Sequence, residues 1–241
     1  MGASETDQKG TLATSVYAQV RRDLLSGSLA PNTKVRVEWA VAQYGAGASP
    51  VREALNRLAA EGLLNRQEQR GFSVVPISEP DLEELTRTRC LLEEVALREA
   101  IRNHSTPWEE GIVIALHRLS RVARHLAGDE QSTNPDWEQA HRRFHRALLA
   151  ACDSRWIMSF CEQLADQAFR YRQIARGNPS GTRDQMSEHR EIADHTTAGD
   201  ADRAVAALQR HYQLTGDLCR NWLRRQALPS AAETPIRRKA S

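Results

Sequence analysis

Apolar positions fall into helical periods over most of the chain. Val16, Val20 and Leu24 recur at i, i+4 and i+8, with Tyr17 and Leu25 beside them, and predict an amphipathic helix over 15–26 that stops at Gly27. A second, short helix fits 37–44 and ends near Gly45. Ser49-Pro50 reads as an N-cap followed by proline at the first helical position, with Val51, Leu55, Leu58 and Ala59 on the buried face of a helix to Glu61. Two brief apolar runs, 63–67 and 72–75, flank Glu68-Gln69-Arg70-Gly71 and predict a small hairpin, because Gly71 can take a positive φ. Three helices and a hairpin make one unit over 15–77, preceded by an expected disordered N-terminus over 1–14.

Beyond Pro76 the pattern changes. Ser78-Glu79-Pro80-Asp81 combines a capping residue, an early proline and acidic groups that suit a helix N-terminus, so a domain boundary is placed there. Further starts at Thr106-Pro107, Asn134-Pro135, Ser154 and Asp200, with breaks at 104–105, 128–133, 152–153, 177–181 and 199, divide 79–223 into six helices. The fold class is therefore mainly α, with an all-α second domain over 78–226. Residues 227–241, with two prolines and the Arg237-Arg238-Lys239 cluster, read as a disordered basic tail.

Composition narrows the function classes. At 40% hydrophobic and 27% charged, the 241 residues suit two ordinary folded domains. No apolar run reaches the roughly 18 residues of a membrane span, and the polar start does not read as a signal peptide, so a cytoplasmic protein without a membrane partner is expected. Cys90, Cys152, Cys161 and Cys219 form no CxxC pair and read as small buried hydrophobes. Residues 1–77 carry a net charge of +2, residues 78–223 carry −4 and residues 224–241 carry +4. Charge alone does not make this a DNA-binding protein.

The arrangement of elements is more informative. Three helices with a short turn before the third, followed by a hairpin, form a winged helix-turn-helix, whose third helix enters a major groove. Arg52, Asn56 and Arg57 project opposite Val51, Leu55 and Leu58; arginine can pair with guanine O6 and N7, and asparagine with adenine. Arg66 and Arg70 on the hairpin would reach phosphates. The plainer reading is a solvated arginine-bearing face.

The stretches YAQVRRDLLSGSLAP (17–31), YGAGASPVREALNRLAAEGLL (44–64) and RQEQRGFSVVPIS (66–78) resemble the DNA-binding domain of the GntR family of bacterial transcription regulators. The resemblance implies a base contact for Arg52 near the start of the recognition helix and puts Gly71 at the tip of the wing; Ser49, at the helix start, is a further DNA-binding candidate. The sequence departs from the family pattern at Ala48, Glu38 and Asn32, where the family often has arginine, arginine and glycine, so an operator cannot be carried over. Lys34, Arg36 and Arg57 are candidates to compensate.

In the second domain His141 and His145 stand at i and i+4, so both rings can reach a common point. His189 and His211 lie on later helices beside apolar residues, and such positions can converge inside a bundle on a metal site. Paired core or surface histidines are the alternative. The motifs HRRFHRAL (141–148), MSEHREI (186–192), AVAALQRHY (204–212) and RTRCLLE (87–93) resemble the FCD ligand-binding domain of the FadR subgroup. The resemblance implies a divalent metal held by an aspartate and three histidines, which fall on His145, His189 and His211; the aspartate position is His141. Four neutral imidazoles suit zinc, nickel or copper better than magnesium, calcium or manganese. The rival reading is that His141 abolishes metal binding. Arg89 falls where family members hold an effector carboxylate; an ion pair to Glu93, Glu84 or Glu94 is the alternative. The five tryptophans read as packing residues, with Trp137 walling the pocket.

Together these readings predict a ligand-responsive regulator rather than an enzyme, a homodimer on a palindromic DNA operator, repressing, with a zinc or nickel ion and a small carboxylate effector. A metal sensor is the alternative. A metallohydrolase lacks support, because His141-Arg142-Arg143-Phe144-His145 has no glutamate beside its first histidine to act as general base.

Overall fold

In the computed structural model, which describes residues 3–67, 71–175 and 183–227, two units follow one another along the chain. The first contains α1 (Ala3–Leu25), β1 (Lys34–Val35), α2 (Val37–Tyr44), α3 (Ala48–Ala60), β2 (Leu64–Gln67) and β3 (Gly71–Val74). Val16, Val20, Leu24, Val51, Leu55, Leu58 and Phe72 close its core. The strands form an antiparallel sheet in the order β1-β3-β2, with Val35 and Arg66 on either side of Phe72.

Three expectations need correction here. α1 begins at Ala3, so most of the stretch expected to be disordered is helical; it holds no proline, and extending a helix from packed turns is easier than nucleating one. The cap of α3 is Gly47, without a side-chain bond, and Ser49 lies inside the first turn; Pro50 is tolerated there because its missing N–H would have no helical partner. The hairpin gains β1 as a third strand, which at two residues is too short to show alternation. Arg70 and the expected tail beyond Ala227 lie outside the described residues.

The second unit runs α4 (Glu79–Arg102), α5 (Thr106–Ser120), β4 (His125–Leu126), β5 (Asp129–Thr133), α6 (Pro135–Leu149), α7 (Arg155–Ile174), α8 (Gln185–Thr197) and α9 (Ala201–Ala227). Ser78, Asn134 and Ser154 cap α4, α6 and α7 through their side chains, and the Asp200 carboxylate accepts from the Arg203 N–H at 3.1 Å. Leu97, Ile112, Leu119, Phe144, Leu148 and Ile192 fill the core. The β4–β5 hairpin corrects the all-α expectation: Gly128, at φ 82°, turns a short polar ribbon that carries no apolar alternation. Trp39 and Trp156, read as packing residues, are 40% and 65% exposed, while Trp108 and Trp137 are buried. The four cysteines are buried and free.

Helix α7 joins the two units. Its Phe169 packs against the first core, its Gln167 side chain donates to the Gly62 carbonyl at 3.1 Å, and Arg170 donates to the Val75 carbonyl. The Tyr171 hydroxyl accepts from the Ser78 N–H at 3.1 Å and donates to Asp81 at 2.5 Å, clasping the boundary.

Candidate functional site: basic groove and histidine chamber

On the first unit, one groove gathers Lys34 and Arg36 from β1 and its end, Arg52 and Asn56 from α3, Arg66 from β2, and Gly71. Arg52 and Asn56 stand one turn apart on the face of α3 opposite Val51, Leu55 and Leu58, which the core buries. Among the described residues none of these cations makes an ion pair, whereas most arginines facing the interior of the second unit do. Ser49 is exposed on α3 but does not line the groove. Arg57 turns away: its guanidinium lies 3.8 Å from the Tyr17 ring centre and bonds Glu61 at 3.3 Å, facing the second unit. Five positions separate Arg57 from Arg52, about 140° around the helix, so the two cannot share a face.

In the second unit His141 and His145 of α6, His189 of α8 and His211 of α9 are all buried, and one nitrogen from each lies within 4.8 Å of the others. The Nε2 atoms of His141 and His145 are 3.1 Å apart, close to the roughly 3.3 Å between two imidazole ligands of one tetrahedral ion. Among the described residues, His189 Nε2 and His141 Nδ1 are buried with no hydrogen-bond partner. An orphaned buried nitrogen beside three others fits a cation site better than a packed core.

Groups behind the rings set their tautomers. Tyr212 donates its hydroxyl proton to Glu93 at 2.5 Å, so the contact of 3.1 Å with His145 Nδ1 requires the imidazole N–H to donate. That leaves the His145 Nε2 lone pair facing inward. His211 Nδ1 donates to Glu188 at 2.7 Å, with Arg183 holding the same carboxylate at 2.6 Å, and its Nε2 is likewise freed. Trp137 stacks on His141 at 4.8 Å. Burial holds all four imidazoles below their ordinary range, His141 and His145 far below, His189 down to about 2 and His211 down to about 4. They are neutral, the form that binds metals.

A cavity of about 700 Å³ opens beside His141 and His211, walled by Leu82, Trp137 and Tyr171 and covered by the β4–β5 hairpin. Arg89 and Arg172 reach its surface, both paired: Arg89 bonds Glu93 at 2.6 Å and lies over Tyr212, and Arg172 bonds Glu138 at 2.7 Å. The ion pair weighed for Arg89 is thus the one formed. Sequence reasoning missed Tyr212, Glu188, Arg183 and the hairpin, including His125, which lines the cavity. Tyr212 neighbours His211 and Glu188 neighbours His189, which is the only local signal they carry.

Comparison with known proteins agrees with both units. Residues 12–74 match the model for bacterial regulatory proteins of the gntR family, and residues 84–214 match the FCD domain. The uncharacterized HTH-type transcriptional regulator BphR of Paraburkholderia xenovorans is 35% identical over 203 residues, 84% of this chain and 83% of that protein. The HTH-type transcriptional repressor GlaR of Escherichia coli is 28% identical over 199 residues, 81% of this chain and 90% of that protein. The solved structure of E. coli McbR/YncC shares the fold at 22% identity, with a TM-score of 0.66, covering 84% of this chain and 93% of the other. No described helix is long and apolar enough to cross a membrane. A helix-turn-helix with an uncommitted basic groove, joined to an FCD bundle, thus makes this chain a member of the GntR family of DNA-binding transcription regulators, not an enzyme.

Proposed function

We propose that the chain is a repressor that binds a palindromic operator as a homodimer and responds to a small carboxylate in the FCD cavity. Lys34, Arg36, Arg52, Asn56 and Arg66 would meet the DNA, with Gly71 in the wing. His141, His145, His189 and His211 would hold a divalent ion, zinc or nickel by the preference of an all-nitrogen set. The observation that carries this reading is the convergence of four buried, neutral imidazoles, two with an orphaned nitrogen, beside a cavity that His141 and His211 line. With four neutral ligands a bound ion would keep its full positive charge and attract a carboxylate. Arg89 at the cavity edge would add a second point of contact once displaced in part from Glu93.

A route from chamber to groove supports the coupling. Asp166 of α7 accepts from Arg142, the residue after His141 on α6, and from Arg21 of α1. One carboxylate therefore ties the histidine helix to the DNA-binding unit. A shift of α6 that favours one arrangement of this tie alters the position of α1 and, through the packed core, of α3.

The test is metal analysis of tag-free protein, followed by anisotropy titrations on a duplex selected by the protein itself. Metal bound by wild type and lost in His145→Ala and His189→Ala, with DNA affinity changed five- to 150-fold by a carboxylate at saturating metal, is expected. DNA affinity that follows metal alone indicates a metal sensor, a reading favoured by four protein ligands leaving little room for an effector on the ion. Absence of bound metal, or binding of carboxylates without effect on DNA affinity, overturns the proposal.

A further inference from the structure

The DNA-facing groove holds a carboxylate among its cations. Glu38 is exposed in the first turn of α2 and lines the groove with Arg36, Arg52, Asn56 and Arg66. Three arginines share this groove, yet Glu38 makes no ion pair or hydrogen bond with any described residue. A free carboxylate on a surface that approaches phosphates is repelled unless a donor meets it. In the major groove the available donors are base amino groups, and glutamate accepts from cytosine N4 where arginine would take guanine.

We propose that Glu38 is a specificity-determining residue that accepts from a cytosine amino group in each half-site, beside the bases reached by Arg52 and Asn56. It acts in two directions: it rewards one base, and it penalises duplexes that offer only phosphates at that point. The inference rests on the groove being the DNA-reading surface. An acid in a first helical turn also stabilises the helix through its dipole; that role alone would alter melting and leave base preference untouched.

The experiment uses full-length wild type, Glu38→Ala and Glu38→Gln, each selected against a randomised duplex library, with affinities measured by anisotropy and melting followed in parallel. Wild type should enrich a cytosine at one position per half-site. Glu38→Ala should lose about tenfold discrimination there, keep preferences elsewhere, and bind unselected duplex more tightly. Glu38→Gln, equal in shape and so safe for folding, should shift that position toward adenine, the base glutamine pairs with. The same motif from all three proteins overturns the inference, as does a uniform loss of affinity. Wild type that enriches no motif at all overturns the reading of the groove itself.

Discussion

At the level of single residues, the four histidines matter less for their number than for what stands behind each ring. Tyr212 passes its proton to Glu93 and receives one from His145, so a phenylalanine there would leave the imidazole free to turn and to change tautomer. Tyr212→Phe should therefore weaken metal binding about tenfold, read by competition with a chromophoric chelator, while metal-free DNA affinity stays unchanged. The two arginines of α3 separate in the same way. Arg52→Ala should reduce discrimination at one base pair by about 1–3 kcal/mol, measured on single-substituted duplexes, whereas Arg57→Ala should leave base preference alone because its guanidinium rests on Tyr17. The i, i+4 spacing of His141 and His145 was legible from sequence because the helix alone brings them together. Glu93 and Tyr212 were not, since they are 119 positions apart and meet only when α4 packs on α9.

Among the elements, the wing shows most clearly how one position governs a local shape. Gly71 opens β3 at φ +87°, and a Cβ there would come within 3.1 Å of the Val35 carbonyl oxygen. Gly71→Ala should destabilise the first unit by about 1–3 kcal/mol, visible as a lower urea midpoint, with disturbed packing of β1. The boundaries of α2, α4, α6 and α7 follow from local signals: a glycine in the left-handed region after α2, and side-chain caps at Ser78, Asn134 and Ser154. The β4–β5 ribbon had Gly128 as a turn signal but no apolar alternation to mark its strands. It is held by pairing of His125 with Thr133 and by the Asn134 N–H donating to the Arg124 carbonyl at 2.8 Å.

Across the whole molecule, α7 carries the connection between chamber and groove. Asp166→Asn removes the charge that Arg21 and Arg142 share. Metal content and effector affinity of this variant should match wild type, while the change in DNA affinity on adding effector should fall toward zero. An undiminished response in the anisotropy titration would place the coupling elsewhere.

The sequence by itself determined the helical periods, most caps, the outward face of α3 and the i, i+4 pair His141 and His145, because each depends on residues within a turn or two of one another; His189 and His211 were marked by family resemblance and brought to that pair only by the packing of α6, α8 and α9. Tertiary structure decided what those residues do. It turned Arg57 from the basic groove, committed Arg89 to Glu93, left Glu38 without a partner among the described residues and drew Asp166 between two units, since burial and pairing depend on which distant helices come to lie side by side.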